Sequence, residues 1–151
     1  MPPKKPAYAD YISDEEWQLL HRKPVTPIPP VEKQYLIDRL TEYGRGLKWR
    51  DLCARVEVTF RGGYAYVEAW SVKPANPEIV RHFEESAYPA PWEDPFTLMR
   101  LGYLGTRDDW LYAFYKYSDE QHEPSFMPSG ATSGTPEEAF DSAAGVYLVN
   151  A

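Results

Sequence analysis

Two glutamates are the residues of this chain best placed to act together in chemistry. Glu57 and Glu68 lie in two alternating segments on either side of the dipeptide Gly62-Gly63. If these glycines form a tight turn, residues equidistant from it lie opposite one another, and the two carboxylates face each other. Such a pair can share a proton in acid–base catalysis, bind a metal ion, or be compensated by neighbouring arginines. Because spacing identifies no third acidic ligand, the sequence favours the arginines.

The same pairing predicts which side chains surround the two glutamates. Two arginines and three aromatic residues share their face: Arg55, Arg61, Tyr64, Tyr66 and Trp70. Arginines beside aromatic rings are typical of stacking platforms for nucleobases and of cation–π contacts between proteins. The alternative is that other segments cover this face and that Arg55 stacks on Trp70 for stability. The opposite face is apolar and is predicted to be core: Val56, Val58, Phe60, Ala65, Val67 and Ala69.

Other reactive residue types are scattered along the chain. The three histidines, His21, His82 and His122, form no metal-ligand pair such as His-x-x-x-His. Cys53 has no histidine near it in sequence that would activate the thiol. The Pro/Ser/Gly segment at residues 128–134 precedes a helix, but no P-loop lysine follows it. We therefore expect no metal site and no cofactor.

Composition limits the class of protein. At 151 residues the chain fits one domain that is long enough to bury a core. Hydrophobic residues make up 43% and charged residues 26%, which is ordinary globular usage and argues against disorder. Aromatic residues reach 15%, and such rings either fill cores or form recognition surfaces. The net charge of −7 disfavours nucleic-acid binding, which depends on neutralising phosphates, and suits a protein partner.

Compartment is also constrained by the sequence. The chain has one cysteine, which excludes an internal disulfide framework and zinc-finger spacings. No apolar run approaches the roughly 20 residues of a membrane span. The basic start at residues 1–6 has no apolar segment behind it, so it is not a secretory signal. We expect a cytoplasmic protein without a membrane partner.

Capping residues and periodicity predict four helices. Ser13 with Glu16 is typical of a capping box at the start of a short helix. A second helix is predicted over residues 31–43, with Gly44 as its end, and a third over residues 77–83. Thr135, followed by Pro136, Glu137 and Glu138, is the strongest helix start in the chain.

The strands complete the predicted fold. Residues 52–60 and 64–72 form one hairpin, and residues 97–104 and 110–117 form a second. Residues 124–134 are predicted to be a loop because they are rich in Pro, Ser and Gly. The order indicates an α+β fold: a four-stranded, mainly antiparallel sheet with helices packed on one face. Residues 1–30 are predicted to be a basic tail, short helix and proline-rich connector, and residues 31–151 a single α+β domain.

Three segments carry a resemblance. The first is Arg55-x-Glu57-x-x-x-Arg61-Gly62 with Ala65-Tyr66-Val67-Glu68-Ala69. The second is Arg100-Leu101-Gly102-Tyr103-Leu104-Gly105 with Trp110 and residues 113–118. The third is Pro128-Ser129-Gly130 with residues 134–140. Together they resemble a group of small uncharacterised bacterial proteins over about residues 31–148. That group has no established activity, so the resemblance implies a bacterial source and nothing about chemistry.

The sequence favours a non-enzymatic interaction or accessory module that binds another macromolecule through the aromatic and charged sheet face. The absence of a clustered catalytic set and the acidic charge both support a protein partner. The first alternative is a nucleic-acid-associated protein that uses the arginine and aromatic residues of the face to stack bases. The second is an enzyme built on Glu57 and Glu68, which requires a raised pKa on one of the two carboxylates.

Overall fold

The computed structural model describes residues 4, 5, 7, 10–20, 26–87 and 90–149. In this part of the chain it has four helices and six strands, an α+β architecture with an antiparallel sheet. The elements are α1 (Asp14–Leu20), α2 (Pro30–Arg45), β1 (Cys53–Arg61), β2 (Tyr64–Ser71), α3 (Pro77–Glu85), β3 (Phe96–Thr106), β4 (Asp109–Lys116), β5 (Gln121–Pro124), β6 (Ser133–Gly134) and α4 (Pro136–Tyr147). None of the described helices is long and apolar enough to cross a membrane.

The sheet has the strand order β1-β2-β3-β4-β5, and β6 also pairs with β4. The prediction of four strands is therefore wrong in number. The two additional strands are β5, of four residues, and β6, of two, and both pair with β4 along the edge that β3 leaves open. Such short strands are too brief to show an alternating pattern, and the prolines around them indicated a loop.

The first hairpin forms in the predicted register. Val58 pairs with Val67 and Glu57 with Glu68. Gly62 has a φ of +60°, and a glycine with positive φ at the first turn position is typical of a two-residue II′ turn. A register shift between Cys53 and Arg55 ends the regular pairing at the far end of β1. The turn thus fixes which side chains of β1 and β2 share a face.

Two predicted helix starts are confirmed in atomic detail. The Ser13 hydroxyl accepts from the Glu16 backbone N–H at 3.1 Å, and the Glu16 carboxylate accepts from the Ser13 N–H at 3.3 Å. Thr135 forms the corresponding capping box with Glu138 at the start of α4. Part of the proline-rich connector, residues 21–25, lies outside the described residues.

Gly44 does not end α2, which continues to Arg45 and is capped at Gly46. Gly44 is instead buried where the helix approaches β1, and a Cβ placed there would lie 2.8 Å from Cγ2 of Val56. The glycine is therefore explained by close packing of helix on strand rather than by a turn.

The hydrophobic core joins α2, α4 and the sheet. Leu36 and Leu40 of α2 and Phe140 of α4 belong to the same buried cluster as Ala65 and Val67. The predicted core residues of β1 pack against this cluster: Val56, Val58 and Phe60. The helix that lies against β1 is α2, whereas α4 lies against β3, β4 and β6. Ile28, ahead of α2, is also buried in the cluster.

Candidate functional site

The residues predicted to form a binding surface lie together on the sheet face opposite the apolar side chains of β1 and β2. The pairs are Arg61 with Tyr64, Glu57 with Glu68, and Arg55 with Trp70, and Tyr66 lies opposite Thr59. Arg55 and Arg61 are exposed, and the other members are half-buried: Glu57, Tyr64, Tyr66, Glu68 and Trp70. These seven residues, together with Arg100, are called the aromatic–arginine face below.

Arg55 makes two contacts on this face. Its guanidinium group lies 4.6 Å from the ring centroid of Trp70, within the range of a cation–π interaction. The same group donates to the Glu57 carboxylate at 3.1 Å. The stack of Arg55 on Trp70 that was considered from the sequence is therefore present. Because the Arg55 side chain is 65% exposed, the stack occurs at the surface.

Glu68 is the less compensated of the two facing glutamates. Burial, and in second place the negative charge of Glu57, raise the pKa of the Glu68 carboxyl above its ordinary value. Among the described residues Arg55 forms an ion pair with Glu57, but no basic side chain forms one with Glu68. Arg55 therefore compensates the negative charge of Glu57 but not that of Glu68. The Glu57 side chain is 43% exposed, which is too open for the desolvation that acid–base carboxylates require.

Arg100 of β3 extends the face beyond the first hairpin. It lies between Tyr66 on β2 and Ala113 on β4 in the strand register. Its guanidinium carbon is 4.3 Å from the ring centroid of Tyr64, and the side chain is half-buried. Sequence patterns pair β1 with β2 and β3 with β4 but do not fix the register between β2 and β3, so they do not place Arg100 on this face.

His122 of β5 lies beside the aromatic–arginine face, where its ring contacts Tyr66. Its ring centroid lies 5.2 Å from that of Tyr66 and 5.0 Å from that of Tyr115, both edge-on. Burial, and in second place the charge of Arg100, lower the pKa of His122 to about 4, so the ring is neutral near pH 7. Its Nε2 atom is buried and has no hydrogen-bond partner among the described residues.

The contact between Tyr66 and His122 spans several strands. With a strand spacing of about 4.8 Å, β2 and β5 are about 14 Å apart across the sheet. The two rings therefore lean toward each other over the intervening strands. In the register Tyr66 pairs with Arg100 on β3, and His122 pairs with Tyr115 on β4.

A separate polar cluster ties the helices to the chain between α2 and β1. The Asp141 carboxylate of α4 accepts from the Tyr43 hydroxyl at 2.8 Å, from Trp49 Nε1 at 2.8 Å and from Lys48 Nζ at 2.9 Å. Burial, followed by this carboxylate, raises the pKa of Tyr43 to about 12. The cluster satisfies buried donors and has the character of a structural clamp.

Two cavities border the end of the first hairpin that is far from its turn. One of about 310 Å³ is lined by Thr41, Gly44 and Arg45 of α2 and by residues 53–56 of β1. It includes Cys53, but burial raises the pKa of that thiol to about 11, which makes it a poor nucleophile. The other, of about 40 Å³, contains the buried hydroxyl of Ser71, which has no partner among the described residues.

Within the described part of the chain, no group of three or more His, Cys, Asp or Glu side chains is arranged to hold a metal ion. No protein-family model matches the chain, and neither the curated proteins nor the solved structures contain a significant match.

Proposed function

We propose that this protein is a non-enzymatic interaction module that binds another protein through the aromatic–arginine face. The observation that carries the proposal is the pair of arginine–ring stacks on one sheet face: Arg55 on Trp70 at 4.6 Å and Arg100 on Tyr64 at 4.3 Å. Aromatic and arginine side chains are the residue types most enriched among binding hot spots. Their concentration on one half-open face is what a recognition surface requires.

The stacked arginines remain able to bind a partner. A guanidinium group that lies on a ring uses its flat face and keeps N–H donors at its edge, where they can bind a carboxylate with two hydrogen bonds. The ring also holds the guanidinium in place, so less side-chain freedom is lost on binding. Arg61, which is exposed, adds a third guanidinium group to the same face.

Charge indicates the kind of partner. The face carries three guanidinium groups and two carboxylates, whereas the whole chain has a net charge of −7. A locally cationic surface on an acidic protein attracts an acidic segment of a partner. We infer a partner surface that combines carboxylates with apolar or aromatic side chains.

In this proposal α2 and α4 lie on the side of the sheet opposite the aromatic–arginine face, where their buried residues share a cluster with Val67. In that arrangement the helices supply the rigid support, and the aromatic–arginine face is left for the partner. A preorganised surface of this kind loses little entropy on binding.

The test compares variants of the full chain as bait in an extract of the source organism. The variants are the double change Arg55→Ala with Arg61→Ala, and Arg81→Ala as a control. Arg81 is an exposed arginine of α3, outside the sheet. We expect a protein that is retained by the wild type and by Arg81→Ala but lost by the double variant. With that partner purified, calorimetry is expected to show a loss of about 2 kcal/mol or more for the double variant.

Circular dichroism and a urea midpoint establish that each variant is folded. Arg100→Lys separates charge from stacking, because lysine keeps the charge but loses the planar group. If the double variant binds the purified partner with wild-type affinity, the proposal is wrong. Tight binding of a single-stranded oligonucleotide, with an affinity that falls steeply with salt, would instead support the nucleic-acid alternative.

A further inference from the structure

The strand β1 forms one edge of the described sheet. Among the described residues, β1 pairs with β2 alone, whereas β2, β3 and β4 each have strands on both sides. At nine residues β1 is long for an edge strand. A long edge with unpaired backbone groups is a template for a further strand.

The hairpin turn determines which backbone groups of β1 point outward. In a two-residue hairpin the residues that flank the turn, Arg61 and Tyr64, exchange hydrogen bonds with each other. Hydrogen-bonded and non-hydrogen-bonded pairs then alternate along the strands, so the backbone groups of Thr59 and Glu57 also bond to β2. The N–H and C=O groups of Val58 and Phe60 therefore point away from β2, toward the open edge.

Apolar side chains on this edge are incompletely covered. Val58 and Phe60 remain partly exposed, whereas their partners across the hairpin, Val67 and Ala65, are 0% exposed. The helix α2 packs against β1, and Nζ of its Lys33 lies 5.5 Å from the ring centroid of Phe60. A strand added there would find apolar surface together with backbone groups that no described residue pairs, which is the combination that β-augmentation uses.

We propose that a second copy of this chain occupies this edge, with the two β1 strands antiparallel about a two-fold axis at Thr59. In that register Glu57 of each copy lies opposite Arg61 of the other, so the same charge pair forms twice. The backbone N–H and C=O groups of Glu57 and Arg61 already bond to β2 within their own copy. The pair of Glu57 with Arg61 of the second copy is therefore a non-hydrogen-bonded pair, in which facing side chains are closest. Val58 lies opposite Phe60 of the second copy, and their outward backbone groups pair.

Charge selects this register over its neighbours. Residues whose backbone groups point outward must pair with one another across the two copies, so the register can shift only in steps of two residues. Each such step moves the two-fold axis by one residue. An axis at Val58 places Arg55 opposite Arg61 of the second copy, and an axis at Glu57 places the two Glu57 carboxylates face to face. Like charges directly opposite are destabilising. Of these three axes, the one at Thr59 pairs opposite charges. An axis at Val56 would pair Arg55 with Glu57 of the second copy, but it would extend the pairing into the irregularity between Cys53 and Arg55. The inference does not depend on the proposed partner-binding function.

The first experiment measures the mass of the full chain by sedimentation equilibrium over a roughly hundredfold concentration range, since dimer formation depends on concentration. We expect a reversible dimer. Glu57→Arg alone and Arg61→Glu alone should each weaken self-association by roughly tenfold or more, because each places like charges opposite. Mixing the two variants should restore dimers, since the substituted residue of each chain then faces an opposite charge. A wild-type chain that is monomeric throughout overturns the proposal.

The second experiment tests the register. Thr59→Cys places thiols of two copies at a non-hydrogen-bonded position on the axis, where the Cα separation suits a disulfide. Mild oxidation should therefore cross-link Thr59→Cys chains in high yield. Arg50→Cys, at an exposed position on the turn between α2 and β1, is the control and should cross-link poorly. Equal yields for both variants would show that β1 does not pair about Thr59.

Discussion

The guanidinium group of Arg100 on β3 lies 4.3 Å from the ring centroid of Tyr64 on β2. Arg100 is not directly opposite Tyr64 in the register; it pairs with Tyr66, and Tyr64 pairs with Gly102. The arginine therefore reaches diagonally along the sheet, across the space that the glycine leaves empty. This contact joins the second hairpin to the aromatic residues of the first.

The stack is expected to contribute measurable coupling to stability. A double-mutant cycle with Arg100→Ala and Tyr64→Leu should give an interaction energy of about 0.5–1 kcal/mol, the range for a partly exposed cation–π pair. Urea unfolding of the four proteins measures it. Strict additivity of the two single changes would mean that the guanidinium and the ring are adjacent without stabilising each other.

The Thr135 capping box is expected to matter for stability. Thr135→Ala removes the hydroxyl that accepts from the Glu138 N–H at 3.2 Å, and the expected loss is on the order of 1 kcal/mol in the free energy of unfolding. Glu138→Ala removes the carboxylate that accepts from the Thr135 N–H in the same capping box. The losses in the free energy of unfolding from the two changes should therefore be less than additive. An unchanged denaturant midpoint for Thr135→Ala would show that packing of α4 alone holds its first turn.

The confirmed predictions are those that depend on residues close together in sequence. The register of β1 and β2 follows from a two-residue turn and strict alternation, so Glu57 and Glu68 could be placed face to face without a structure. The capping box at Thr135 follows in the same way from adjacent residues. In both cases the local pattern and the tertiary structure agree.

What the sequence could not provide is contact between distant segments. Arg100 joins the face because β3 pairs with β2, and α3 intervenes between those strands, so no turn fixes their register. Gly44 was interpreted as a helix end because its close approach to Val56 is a tertiary contact. His122 acquires its environment from Tyr66, a residue three strands away in the sheet. Each of these depends on packing, which overrides local preference.

Asp141→Asn is expected to lower the pKa of Tyr43. Burial is the larger cause of the raised value of about 12, and the carboxylate is the second, so the pKa should fall without returning to the ordinary value near 10. Titration of tyrosinate absorbance measures the shift, with Tyr43→Phe assigning the signal. No change in that titration would show that Asp141 has no electrostatic effect on the phenol.

The same variant is expected to reduce stability. Asp141 accepts from three donors on the segment that ends α2 and leads to β1, namely Tyr43, Lys48 and Trp49. An amide offers one neutral acceptor oxygen in place of two charged ones. If that oxygen keeps the Tyr43 and Trp49 donors, the exposed Lys48 loses its partner, and the two remaining hydrogen bonds are weaker, so we expect a loss of about 1 kcal/mol. Asp38→Asn is the control, because Asp38 is exposed on α2 and accepts only from Gln34 among the described residues.

His122 is expected to make the fold sensitive to mild acid. Its pKa is lowered to about 4 in the folded protein, whereas an unperturbed histidine titrates near 6.5. As pH falls from about 6.5 to about 4, the unfolded chain therefore binds a proton at this residue that the folded chain does not, and the free energy of unfolding decreases. Above about pH 6.5 the ring is neutral in both states, and His122 contributes no pH dependence there.

The matched variant for this effect is His122→Phe, which keeps a ring beside Tyr66 and Tyr115 but cannot be protonated. Urea unfolding near pH 7 and near pH 4.5 should show a larger loss of stability in the wild type, by roughly 1–2 kcal/mol, since a partly solvated site realises only part of the shift. Phenylalanine also removes the buried Nε2 atom, which has no hydrogen-bond partner in the described part of the chain, so the variant should be at least as stable near neutral pH. An NMR titration gives the site-specific pKa directly: a His122 midpoint near 6.5 would mean that neither burial nor the charge of Arg100 acts on the ring in solution.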